Sequence, residues 1–264
     1  MVRTMLLLAL TAGAAMAQTA IPSPGSGQPV PALPVSNPQA EFAKLAPALQ
    51  AHLLAWEKKT SGLNSLYTEC EREKTNLLTK KSQKYTGSIR CMKPNLAYLR
   101  LDNALKKDDF EAYICDGKSV YNYVGSDKIV RQHLIPPGGK GNVGDNLLLE
   151  FMSGGMSAID VAARFKMKLL KEDQHYIYME VLPVFDKDLQ EFNSLILVLY
   201  NGAVKGMEYL PAKVQMKMGN GQDIEEWTFK QPLANPQGIK PADFAYVAPP
   251  KDWQVKPADP KVRP

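Results

Sequence analysis

Along this chain the spacing of apolar residues changes character at Gly62. From Asn37 to Thr60, Phe42, Leu45, Leu49, Leu53 and Trp56 recur at intervals of three and four, which places them on one stripe of a helix. Pro47 lies inside that span and marks a kink. Gly62 supplies the stop. Beyond it the period becomes two. In "SLYTECERE", Leu66, Thr68 and Cys70 fall on one face, and Tyr67, Glu69, Glu71 and Glu73 on the other. That is a half-buried strand with one wet side. "GSIRCMK", "NLAYLRLDN", "FEAYIC", "SVYNYV" and "IVRQHLI" continue the pattern, with a tight turn at Asp116-Gly117. Six strands joined by short turns predict an antiparallel meander.

The meander stops at Pro136-Pro137 and a glycine cluster. "DNLLLEFMSGGMSAIDVAARF" then reads as two short helices broken at Gly154-Gly155. Strand patterns resume in "KMKLLKE", "HYIYMEVLP", "SLILVLY", "GMEYLP", "VQMKMG" and "DIEEWTFKQ", and the chain closes in an extended, proline-rich segment. The sum is an α+β fold: one large, curved antiparallel sheet with helices gathered on one face.

The first residues change the cellular picture. "MVRTMLLLALTAGAAMAQ" has a basic start, a short apolar run and an Ala-Met-Ala site, which predicts a signal peptide cut after Ala17. The expectation is a soluble protein exported to the periplasm, with no lipid-anchor cysteine at the cut. Residues 18–37 read as a Pro/Gly-rich linker, 38–256 as one domain and 257–264 as a Pro-rich tail. The net charge of +5 is modest. The basic stretch from Arg72 to Lys93 reads as an exposed hairpin, and with export this argues against nucleic acid. Cys70, Cys91 and Cys115 fit no zinc spacing, so neither a metal nor a cofactor is expected. One disulfide with one leftover thiol suits an oxidising compartment.

Candidate chemistry is sparse. "GGKGNVG" matches G-x-G-x-x-G from Gly139, with Asp160 at the distance of a ribose-binding acid. However, the fingerprint needs a parallel βαβ unit, and here the preceding strand ends in two prolines. The cluster reads instead as a connector. No G-x-S-x-G or H-E-x-x-H occurs, and His52, His133 and His175 stand apart. The adjacent acids Asp108-Asp109 and Glu225-Glu226 point to opposite faces of a strand and read as solvating charges. The chain therefore reads as non-catalytic. Its apolar positions are rich in adaptable methionine, including Met152, Met156, Met179 and Met216.

Five local motifs carry a resemblance. They are "GSIRCMKPN", "LAYLRLDN", "AYICDGKSVYNYV", "GGKGNVGDNLLLEFM" and the closing "FAYVAPPKDWQV". In this order they resemble the outer-membrane lipoprotein carrier LolA and the LolA/LolB-type proteins, as a divergent member. An uncharacterised LolA-like domain family of planctomycete-like bacteria is a second fit. The resemblance implies an unclosed half-barrel of about eleven strands, with a long N-terminal helix and a short helical lid on the concave face. It implies a monomeric carrier of an acylated lipid or lipoprotein cargo, serving a membrane-associated donor or acceptor protein. The cavity residues it assigns are Leu66, Thr68 and Cys70 on the first strand, Ile89, Cys91 and Lys93 on the second, and Ala97, Leu99 and Leu101 on the third. Leu148, Phe151 and Met152 fall on the lid. Lys93 takes the place of an arginine that latches the lid. Cys70 and Cys91 fall on the same face of neighbouring strands, so the expectation is that they bond and leave Cys115 free. The runner-up function is an envelope-sensing or protein-interaction module built on the same half-barrel.

Overall fold

The computed structural model describes residues 37–135, 147–153 and 156–257. The expected signal peptide, most of the expected linker, the "GGKGNVG" cluster and all but the first residue of the expected Pro-rich tail lie outside the described residues. Twelve strands form one sheet: β1 (Ser65–Asn76), β2 (Ser82–Met92), β3 (Leu96–Asn103), β4 (Phe110–Asp116), β5 (Ser119–Val124), β6 (Ile129–Leu134), β7 (Phe165–Glu172), β8 (Tyr176–Pro183), β9 (Phe192–Tyr200), β10 (Pro211–Met218), β11 (Asp223–Ala234) and β12 (Gln254–Pro257). Their order across the sheet is β12-β6-β5-β4-β3-β2-β1-β11-β10-β9-β8-β7. All pairs are antiparallel except β12 with β6. The sheet does not close, because β7 and β12 remain its two ends. It is an unclosed half-barrel.

The expected N-terminal helix is two helices. α1 (Pro38–Ala43) and α2 (Pro47–Ser61) separate at Pro47, which starts the second helix because it has no N–H to give to the first. Asn37 caps α1 through its side chain. α3 (Leu147–Ser153), α4 (Ala158–Arg164) and the single turn α5 (Asp186–Leu189) complete the set. Asp160 belongs to a capping box with Ser157 at the start of α4, which is its role in place of a ribose contact. "GMEYLP" forms turns rather than a strand, and the eleventh and twelfth strands are β11 and the closing β12.

Alternation along β1 to β3 sends Leu66, Cys70, Ile89, Cys91, Ala97, Leu99 and Leu101 into one large core. The same core receives Leu49, Leu53 and Trp56 from α2, Leu148, Leu149 and Met152 from α3, and β8 to β11 from the far side. The opposite face of β4 to β6 holds a smaller core of Ala112, Ile114, Tyr123 and Val130. The C-terminal segment straps it down. Tyr246 packs on Tyr121 at 4.4 Å, Trp253 on Phe110 at 5.7 Å, and the Tyr123 hydroxyl donates to the Val247 carbonyl at 2.6 Å. A void of about 340 Å³ remains between strap and sheet.

Candidate concave-face site

The register lines up the expected cavity residues in rows. Thr68, Ile89, Leu99 and Tyr113 form one row across β1 to β4, and Leu66, Cys91, Ala97 and Cys115 form the next. All the β1–β3 positions named from the sequence are buried here except Lys93. Thr68 turns its hydroxyl into backbone, donating to the Glu69 and Lys230 carbonyls at 2.8 and 3.2 Å where the β1–β11 register shifts. The row is thereby kept free of a dangling polar group.

Two expectations fail. Lys93 lies past the end of β2 and is exposed. Its ammonium donates to the Ser61 carbonyl at 2.6 Å and to Thr60 at 3.4 Å. It thus satisfies the unpaired carbonyls at the C-terminus of α2 and does not latch α3. The second failure is the disulfide. Cys70 faces Gly87 across the β1–β2 ladder, while Cys91 faces Leu66. The two cysteines are four residues out of step, or ~13 Å along the strand, and a disulfide needs α-carbons within about 7 Å. All three thiols are free and buried. Burial pushes Cys70 up to about 12 against the pull of Arg72, and pushes Cys91 to about 12 with help from Cys115. Cys115 is raised by burial as well. We therefore expect no reaction with a disulfide reagent at neutral pH until denaturant is added, when three thiols titrate together. Prompt labelling of any one of them in the folded protein would contradict this.

α3 lies across the concave face. Leu148 and Met152 are buried against it, and Phe151 sits between Trp56 at 6.1 Å and Phe165 at 5.9 Å. Beneath it, a cavity of about 20 Å³ is bounded by Trp56, Phe151, Met152, Leu197, Val214 and Met216 among others. Among the described residues, the space bounded in this way beneath α3 holds about one water. The wall supplied by β9 and β10 was not assigned from the sequence. "SLILVLY" is apolar at nearly every position, so alternation alone does not say which residues face inward.

One end of the concave face is polar. Arg72 donates two hydrogen bonds to Glu111, at 2.9 and 2.8 Å, across the gap left by Gly87. Its guanidinium lies 4.5 Å from the Tyr85 ring and 5.5 Å from Trp227. Burial works against its charge, but the bonds to Glu111 and the nearby Glu225 outweigh burial and hold its pKa above the ordinary value. Burial also pushes the Tyr113 phenol up to about 12, assisted by Glu111. Glu225 is buried beside Lys74 and so is no solvating charge, whereas Glu226 on the opposite face meets Lys213. Asp109 accepts from Asn103 and Tyr85. His52 meets Glu172 on the far side of α2, and His175 lies in the β7–β8 turn. Among the described residues no group of three or more His, Cys, Asp or Glu is arranged to hold a metal ion. No helix of the described residues is long and apolar enough to cross a membrane.

No family model and no curated protein sequence matches the chain. Solved structures do match. A LolA-superfamily protein from Nitrosomonas europaea is 9% identical, with 74% of this chain and 97% of that one covered at a TM-score of 0.38. LprF from Mycobacterium bovis is 12% identical over 74% and 97%, also at 0.38. A DUF1329-family protein from Desulfovibrio piger is 8% identical over 79% and 97%, at 0.40.

Proposed function

We propose that this LolA-like half-barrel is an exported, non-catalytic carrier or binder of an acylated lipid or lipoprotein, held on the concave face after α3 moves aside. The observation that supports this reading is the chemistry of that face. A continuous apolar wall, from Leu66 through Ile89 and Leu99 on one side to Leu197 and Val214 on the other, is covered by short helices rather than by a second sheet. Each methylene of an acyl chain taken from water is worth ~0.8 kcal/mol, so such a wall needs no charged partner to retain one. The methionines at its seam, Met152 and Met216, repack at little cost. The present cavity admits about one water, so uptake requires α3 to leave the wall.

Delipidated protein should bind a fluorescent fatty acid saturably. Met152→Ala, which strips one of the buried contacts of α3, should speed uptake about tenfold or more. Failure of the parent chain to bind would remove the carrier reading. If a stoichiometric protein then co-purified with it, the interaction-module reading would take its place. Saturable binding with an unchanged uptake rate in Met152→Ala would keep the carrier and deny α3 its role as lid.

A further inference from the structure

Consecutive hairpins place alternate turns at opposite ends of the sheet, so the β1–β2, β3–β4 and β8–β9 turns share one end. Two of these turns use the same device. In the first, Asn76 accepts from the Leu78 and Thr79 amides at 3.2 and 2.9 Å. In the second, Asn103 accepts from the Leu105 and Lys106 amides at 2.8 and 3.2 Å. In each, the residue two places after the asparagine is a leucine thrust into solvent, with Leu78 73% and Leu105 93% exposed. A lysine pair follows in each: Lys80-Lys81 and Lys106-Lys107. All four lysines are exposed, and none has an ion-pair partner among the described residues. Asp108 is the exposed acid beside the second pair. The third turn adds Val184 and Phe185, 45% and 47% exposed, followed by the exposed Asp186 and Lys187. At the opposite end, the turns at residues 93–95, 117–118 and 173–175 present no exposed large apolar side chain, and the apolar residues exposed there, Leu134 at the end of β6 and Leu233 near the end of β11, stand outside any hairpin turn.

We propose that this rim docks on an anionic phospholipid bilayer. Fixed apolar tips that project singly are suited to enter the boundary between headgroups and acyl chains. Lysines beside them extend their stems along that boundary and set their charges among phosphates. Each lysine adds to the attraction of a negative surface, which fades within a Debye length. A protein partner would be served better by a contiguous patch than by separate leucines on separate hairpins. Docking here goes beyond cargo binding, since neither tip belongs to the concave face.

The test is sedimentation of the full chain with phosphatidylcholine vesicles, with and without phosphatidylglycerol. Binding should require phosphatidylglycerol and weaken with salt. Leu78→Ser combined with Leu105→Ser should lower the partition constant by about tenfold per leucine. Replacing Lys80, Lys81, Lys106 and Lys107 by alanine should abolish the preference for anionic lipid. Comparing these variants with the parent cancels any contribution from the apolar run Met5–Leu10, which all share. Unchanged melting temperatures establish that the exposed substitutions left the fold intact. The proposal is overturned if the parent ignores phosphatidylglycerol vesicles, or if the leucine variant sediments as well as the parent. A partner protein that needs the tips while vesicles do not would likewise overturn it.

Discussion

Gly87→Ala should destabilise the protein by about 3 kcal/mol or more, lowering its melting temperature by about 6–12 °C for a domain of this size. A β-carbon at Gly87 would stand 1.7 Å from the Arg100 carbonyl oxygen and 2.7 Å from its carbonyl carbon. Both are backbone atoms of β3, so no rotamer relieves the clash, and β2 and β3 must separate. Gly87 pairs with Leu101 in the middle of the β2–β3 ladder. The glycine is needed for this close approach, as glycines are where a sheet bends sharply. Thermal melting of Gly87→Ala beside Ser88→Ala, its neighbour on the other face, isolates the effect. Ser88→Ala should change stability by no more than about 0.5 kcal/mol. If Gly87→Ala melted with the parent, the sheet would owe nothing to this glycine.

Arg72→Met should cost about 3–5 kcal/mol. The guanidinium is 7% exposed, lies between the Tyr85 and Trp227 rings and answers both oxygens of Glu111. Removing it leaves the Glu111 carboxylate, 29% exposed, without its partner, and takes a cation away from nearby Glu225. Adding Glu111→Leu should recover most of the loss, because an apolar pair of similar volume avoids burying an unpaired charge. Urea unfolding of the two single variants and the double variant gives the coupling. A double variant no more stable than Arg72→Met would mean that Arg72 acts through packing on its aromatic neighbours.

The sheet strands and the α+β class were legible because each rests on a local rule. Alternation in "SLYTECERE" placed Leu66 and Cys70 inside, and Asp116-Gly117 formed its turn with Gly117 at φ 88°. "GMEYLP" misled because an apolar run with a glycine is also what a compact turn needs to cover the end of a sheet; Leu210 is buried there just before β10 begins, its carbonyl accepting from the Tyr200 amide. Of the expected concave-face positions, alternation put Leu66, Thr68 and Cys70 on one face of β1, while which face is concave, and the positions on β2, came from the resemblance. Leu197, Val214 and Trp56 were assigned by neither, since their strands or helix meet that face only through long-range pairing.

By itself the sequence determined the strand faces, the hairpin turns and the absence of a recognisable catalytic motif, all of which depend on neighbours a few residues apart. Only the tertiary structure decided the register between β1 and β2, and with it that Cys70 and Cys91 stand too far apart to bond. It alone decided that Lys93 holds the end of α2 and that a cavity of about 20 Å³ lies beneath α3. Register is a competition among whole ladders, and a shift by two residues preserves every inward and outward preference that the sequence encodes. The energy that separates such alternatives lies in contacts like Arg72 with Glu111, 39 residues apart, which no local pattern contains.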